Sequence, residues 1–323
     1  MPEPSATAAA AAAAPVSLSR WSVYGDIWMR YLGWGARHCP SFFEPLFIAL
    51  YTVVFFFVAR RQRRAISRNL SVLLPGSSAL ANYFRAFRVF WNFAWTIADA
   101  ARVQDGQDVI AWEVDGIGNF QHLAAETGGI IILTGHMGNY DVAAPLFGQR
   151  FQRKLHAVRI PEKHAALQAY MEETRDRRQS GTYQIHYNRP GNLLALELAQ
   201  ALARQEMVAI QGDRVMENVA AMEVPFRDRF FRLPKGPFVL ALAPHAPVYP
   251  LFVIRLGWRR YRVQLFPALP VPVNPRDREA SMRQLAEKWC GILTLVARQH
   301  WQQWFVLEDA FRDASTQPND RPT

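Results

Sequence analysis

The chain has 323 residues, half of them hydrophobic and 13% aromatic, with a formal net charge of +10. That supports one large core, alone or with an attached helical segment. Two cysteines, Cys39 and Cys290, are too few for a disulfide scaffold or a zinc site and point to a reducing compartment.

The basic residues are almost all Arg, the side chain suited to bidentate pairing with phosphate and carboxylate. A basic excess of this size implies an acidic partner: anionic lipid headgroups, nucleic acid or an acidic carrier protein. Residues 1–19 form an Ala-rich tail without the basic and Leu-rich parts of a secretory signal, and are read as disordered. Residues 314–323 are read in the same way.

Residues 20–105 read as a helical, unusually aromatic region associated with a membrane. Leu46 to Ala59 is a continuous apolar run of fourteen residues, short of the roughly twenty that a span requires. Arg60, Arg61, Arg63, Arg64 and Arg68 follow at once. An apolar helix that ends in an Arg cluster suits an anchor lying on an anionic leaflet, although a buried core helix has the same composition. A full span, extended backwards through Phe42 and Phe43, is the third possibility.

From 106 to 313 strand-like and helix-like runs alternate. Strands are expected at Val109 to Val114, Gly129 to Leu133, Leu155 to Ile160, Tyr183 to His186, Met207 to Gln211, Val248 to Arg255 and Tyr261 to Phe266. Helices are expected at Asn139 to Phe147, His164 to Gln179, Leu193 to Arg204, Lys235 to Ala243 and Arg278 to His300. The alternation predicts an α/β fold with a mixed, mainly parallel sheet flanked by helices. Pro247 and Pro250 are expected at the start or on an edge of their strand. Val215 to Leu233 is read as a long loop whose interleaved Phe and Arg residues suit an acyl chain, a headgroup or single-stranded nucleic acid. Trp301, Trp304 and Phe305 are read as core or interface.

The candidate chemistry lies in Thr-Gly-His-Met-Gly-Asn-Tyr-Asp, residues 134–141. A buried strand that ends in Gly-His and opens into a helix sets His136 at a strand's carboxyl end, where open α/β sheets hold ligands. Asp141, five residues on, is expected to approach the ring nitrogen turned away from the substrate and fix the tautomer. The pair would then act as a general base on a hydroxyl or amine. Gly135 and Gly138 are expected to let a substrate approach the backbone. Arg159 closes a second strand as a candidate anion holder. Gly212, Asp213 and Arg214 end a third, with Gly212 allowing a tight turn and the other two forming a polar site beside His136.

His136 and Asp141 at this spacing resemble the HX4D signature of glycerolipid-type acyltransferases. The chain as a whole resembles the lipid A biosynthesis lauroyl/myristoyl acyltransferase family. Arg68-Asn69-Leu70 with Leu74-Pro75 is similar to a short block near that family's N-terminus. Arg159-Ile160-Pro161 resembles its Tyr-Arg-Pro block, Gly212-Asp213 its Gly-Asp-Gln block, and Ala246 to Pro250 its Ala-Pro-Val-x-Pro strand.

The resemblance implies a glycerol-3-phosphate acyltransferase-like fold at the inner membrane, with the active site facing the cytoplasm. It implies transfer of a fatty acyl group from acyl carrier protein or acyl-CoA to a hydroxyl of a membrane glycolipid, without metal, cofactor, covalent enzyme intermediate or nucleic-acid partner. His136 would take the acceptor's proton and Asp141 would stabilise the imidazolium. Backbone amides from Gly135 to Asn139, with Arg159, would hold the oxyanion. The chain departs from the family at its end, where His300 to Phe305 runs into Val306, Leu307 and Glu308 rather than a basic pair. Arg214 also stands where the family often has Gln. The acceptor therefore stays open among a lipid A precursor, a lyso-aminolipid such as an ornithine lipid, and another glycolipid or specialised lipid. A non-catalytic lipid-binding relative is the remaining reading.

Overall fold

A computed structural model describes residues 26–104, 106–107, 109–162, 165–176, 181–189, 191–215, 219–272 and 276–313. Both expected tails lie outside the described residues, as does part of the helix expected at His164 to Gln179.

Four helices come first: α1 (Asp26–His38), α2 (Glu44–Val58), α3 (Arg60–Leu73) and α4 (Ala79–Gln104). The long α4 is the post on which the other three pack. On α2, pairs of buried and exposed residues alternate with the helical period. Ile48, Tyr51, Phe55 and Phe56 turn inward. The outward face is apolar too: Phe42, just before α2, is 77% exposed, Leu46 66% and Leu50 62%. Arg60, Arg61 and Arg64 stand exposed on the next helix. Glu44, fully buried at the start of α2, pairs with Arg102 of α4 at 3.1 Å and with Arg259 at 2.9 Å, fixing the helix to the rest of the molecule. No helix among the described residues is long and apolar enough to cross a membrane.

The α/β part runs β1 (Ala111–Asp115), α5 (Ile117–Ala125), β2 (Ile130–Thr134), α6 (Tyr140–Phe151), β3 (Leu155–Arg159), α7 (Ala165–Asp176), β4 (Tyr183–Tyr187), α8 (Leu194–Ala203) and β5 (Met207–Gln211). It continues through β6 (Ala221–Phe226), β7 (Arg229–Pro234), α9 (Gly236–Leu242), β8 (Val248–Gly257), β9 (Arg260–Leu265), α10 (Arg278–Gln299) and β10 (Phe311–Asp313). Seven strands form one sheet in the order β1-β9-β8-β2-β5-β3-β4. Every pairing in it is parallel except β8 with β9. The fold is thus α/β with a mainly parallel sheet, and the central strand β2 is buried throughout, as its Ile-Ile-Ile-Leu run requires.

Two expectations need correction. The long loop at Val215 to Leu233 contains a hairpin, β6 and β7, joined by two residues and extended by β10 into a second, three-stranded antiparallel sheet. Phe231 is fully buried, Phe226 and Phe230 are half-buried, and Phe226 and Phe231 both pack on Phe311. Phe231 is therefore part of the core rather than of an exposed ring platform. Pro250, in turn, is the third residue of a central strand. It is tolerated because pairing with β9 begins only at Leu251, so the missing N–H falls where that ladder ends.

Candidate active site

Thr134 and Gln211, the last residues of β2 and β5, are register partners. Each is followed by glycine and then by a functional side chain, His136 on one strand and Asp213 on the other. Adjacent strands run roughly 4.8 Å apart, so two side chains at the same offset beyond a paired position meet. His136 Nδ1 lies 2.6 Å from Asp213 Oδ1, and the His136 backbone amide donates to Asp213 Oδ2 at 2.8 Å.

This corrects the expected orienting carboxylate. The nitrogen assigned to Asp141 is engaged by Asp213, whereas Asp141 pairs with Arg159 Nη2. The topology explains the difference. Helix α6 connects β2 to β3, which lie on either side of β5, so its first turn carries Asp141 towards the end of β3.

The Asp213 carboxylate is fully buried. Burial works against its charge, but His136 and the Nε1–H of Trp304, at 3.0 Å, hold its pKa below the ordinary value. Burial lowers the His136 pKa below its ordinary value; Asp213 raises it in part, while Arg214 and Arg159 lower it further. The imidazole is therefore neutral near pH 7. With Nδ1–H donating to the carboxylate, Nε2 keeps its lone pair.

Distant segments lock this pair. The Phe305 amide donates to the His136 carbonyl at 2.8 Å, and Met137 bridges to Trp304. The segment carrying Trp304 is held by Asn69 of α3. That side chain donates to the Glu308 carbonyl at 2.7 Å and accepts from the Ala310 amide at 3.0 Å. Trp304 and Asn69 had no reading as site residues, because their partners lie 91 and 241 residues away. Asp213 stands beside His136 as the sequence predicts, and the repeated pattern of strand end, glycine and polar residue at Gly135-His136 and Gly212-Asp213 is the signal for its role as the orienting partner.

The protein's own packing also demands the glycines. Gly138 has φ +52° and lies so close to the Val253 carbonyl that a Cβ has no room. A Cβ on Gly135 would crowd Asp213 Oδ2 at 3.2 Å. Gly212 makes no positive-φ turn; a Cβ there would meet Leu133 at 2.7 Å and Trp289 at 3.0 Å. Asn139 is buried, and its amide donates to the Thr96 carbonyl of α4 at 3.3 Å.

Two cavities flank the pair. A vestibule of about 260 Å³ lies between the helical region and the sheet's carboxyl end; His136, Gly138, Asn139, Asp141 and Arg214 line it, with Tyr51, Phe55, Glu162 and Glu308. A chamber of about 810 Å³ lies on one face of the sheet beneath α5 and α6. Its walls are mostly apolar, among them Phe120, Ala143, Phe147, Ala157, Leu251 and Val253. It extends from the strands' carboxyl ends at Thr134, Arg159 and Gln211 back to Leu155 and Phe151. Five residues of strand cover roughly 16 Å at about 3.3 Å each. Tyr140 belongs to both cavities, its ring edge-on to His136 at 5.8 Å and stacked under the Arg159 guanidinium at 5.1 Å. Arg159 is 7% exposed; burial opposes its charge, yet Asp141 and Tyr183 hold its pKa above the ordinary value.

The arrangement supplies a neutral, oriented base, a polar vestibule with aromatic walls and a long apolar chamber. Such a set can deprotonate a nucleophile beside a reacting group that carries a fatty chain. The model of the family described as bacterial lipid A biosynthesis acyltransferase matches residues 17–313. No curated protein matches the chain.

Proposed function

The chain belongs to the bacterial lipid A biosynthesis acyltransferase family, and from that premise we propose that it works at a membrane surface, moving a fatty acyl group from a thioester of acyl carrier protein or CoA to a hydroxyl of a membrane glycolipid. As a family member it is an acyltransferase and uses an acyl donor and a lipid acceptor. The observation that carries the finer reading is His136, fixed by Asp213 and adjoining a vestibule, with the apolar chamber across Tyr140.

In this mechanism the acceptor hydroxyl enters the vestibule and gives its proton to His136 Nε2 as its oxygen attacks the thioester carbon. The C–O bond forms, the C–S bond breaks, and the imidazolium returns the proton to the departing thiolate. Asp213 keeps Nδ1 protonated and stabilises the imidazolium. The fatty chain lies in the chamber. The full-length chain on lipid vesicles should release thiol from acyl thioesters in step with the appearance of acylated lipid. No transfer from either donor class to any hydroxyl or amino lipid would end this reading. Ala157→Phe, which narrows the chamber, should lower kcat/KM for the longest accepted chain about tenfold while shorter chains are spared.

The apolar outward face of α2 and the adjoining Arg60, Arg61 and Arg64 support docking on an anionic leaflet, at the inner membrane with the site facing the cytoplasm. Tyr51 and Phe55 of the same helix line the vestibule, so an acceptor leaving the bilayer beside α2 would meet His136 directly. Each basic residue near an anionic surface contributes about 1 kcal/mol. Changing all three arginines to Gln should therefore weaken binding to anionic vesicles about a hundredfold. Sedimentation with vesicles checks this, and unchanged binding would dismiss the docking face.

A second reading has its own observation. Glu162 and Glu308 line the vestibule with Arg214, in a chain that is otherwise strongly basic. A lyso-aminolipid, whose ammonium group would meet these carboxylates, is the acceptor that this lining favours over a bis-anionic headgroup.

A further inference from the structure

The chamber is mostly apolar, with Gln121, Arg150 and Arg153 also among its lining, and its carboxyl-end rim carries two hydrogen-bond donors without acceptors. Gln211 Nε2 and Arg159 Nε are both buried and have no partner. They belong to the last residues of β5 and β3, which are neighbours in the sheet, and both residues line the chamber. Arg159 spends Nη2 on Asp141 and is more than nine-tenths buried. A buried donor left without an acceptor loses its hydration with nothing in return, so a pair of them at one rim implies an acceptor supplied from outside the chain.

We propose that Gln211 and Arg159 together receive an oxygen of the acyl donor close to its thioester end. This rests on reading the chamber as the site of the fatty chain. Two oxygens have the required chemistry: the thioester carbonyl, which becomes an oxyanion during attack, and a hydroxyl on the third carbon of a 3-hydroxyacyl chain. Both are acceptors, and both fall near the reacting carbon, at the end of the chamber formed by Thr134, Arg159 and Gln211. Thr134 is the register partner of Gln211 and stands two residues before His136, which puts the donor pair on the same sheet edge as the base. If the oxygen is the carbonyl, Gln211 is the added donor, joining Arg159 and the backbone amides after Gly135 that the family resemblance already implies as the oxyanion site.

The test compares wild type with Gln211→Met, which keeps the length of the side chain and removes the donor. Thiol release is measured from dodecanoyl and 3-hydroxydodecanoyl thioesters of CoA and of acyl carrier protein, on vesicles of total bacterial lipid, with thermal unfolding in parallel. The expected result is a fall in kcat of about 10²-fold on both chains with KM within threefold, the size seen when one oxyanion donor is lost. A loss confined to the 3-hydroxy chain assigns the contact to the hydroxyl and upholds the donor pair. Rates within threefold of wild type on both chains overturn it, as does a change only in KM or in preferred chain length, which marks Gln211 as wall. Gln211→Glu offers acceptors in place of donors at the same size; it should fail as Met does, and it decides the matter if the Met variant unfolds. Absence of turnover in wild type would instead end the acyl-transfer reading, so the two failures remain distinct.

Discussion

Asp213→Asn should lower kcat about 10³- to 10⁴-fold and leave thermal stability almost unchanged. Oδ2 of Asp213 accepts two hydrogen bonds, from the His136 amide and from Trp304 Nε1, while Oδ1 faces His136 Nδ1. An asparagine satisfies this site in one orientation, with its oxygen towards the two fixed donors and its NH2 towards Nδ1. The imidazole then has to accept at Nδ1 and carry its proton on Nε2, which makes the base a donor. Every buried group remains paired, so the fold survives while the chemistry fails. His136→Ala should lose as much, and the double variant no more than either single change, because the two residues act as a unit.

The pH profile follows with its sign. In the proposed mechanism the working form is neutral His136, whose pKa burial pushes below the ordinary value near 6.5. Activity should therefore hold as pH falls from 8 to 7 and decline only below about 6.5. Asp213 favours the imidazolium, so its removal moves the residual acid limb lower still. An Asp213→Asn enzyme that keeps more than a tenth of the wild-type rate would show that another group orients His136.

Local features of the chain made most of the sheet legible. Apolar runs bounded by glycine and proline mark β2, β3, β5 and β8, and the helices between them follow from alternation. The β6–β7 hairpin is not legible in the sequence because Arg227, Arg229 and Arg232 break up its apolar pattern, although Val224, Phe231 and Leu233 are all buried. At the site, His136 was legible from the junction it occupies. Spacing along the chain points to a partner one helical turn on, whereas the partner stands across the sheet. That pairing depends on strand order and register, which spacing within one segment does not encode. The same holds for Trp304 and Asn69, whose roles exist only once the segment around Trp304 to Ala310 packs over the loop that carries His136.

The Asp141–Arg159 pair should separate stability from chemistry. Arg159 is deeply buried, whereas the Asp141 side chain is 24% exposed. Asp141→Leu leaves a buried guanidinium short of its counter-charge, a change that costs about 3 kcal/mol or more. Arg159→Met leaves a carboxylate that still reaches solvent, so it should destabilise less. The double variant Asp141→Leu/Arg159→Met replaces the pair with apolar groups of similar volume and should recover most of the loss. Chemical denaturation of the four proteins gives the coupling directly. Activity should not recover with stability: the double variant still lacks the cation beside Tyr140 and His136 and one donor at the chamber rim. Its turnover should stay at least tenfold below wild type, as expected when one oxyanion-type donor is missing. In all three variants His136 keeps its bond to Asp213, so an acid limb should persist, and in the two that lack Arg159 it should move to higher pH, because that cation lowers the His136 pKa. A double variant as active as wild type would reduce the pair to a structural device, leaving Asp213 alone to direct the base.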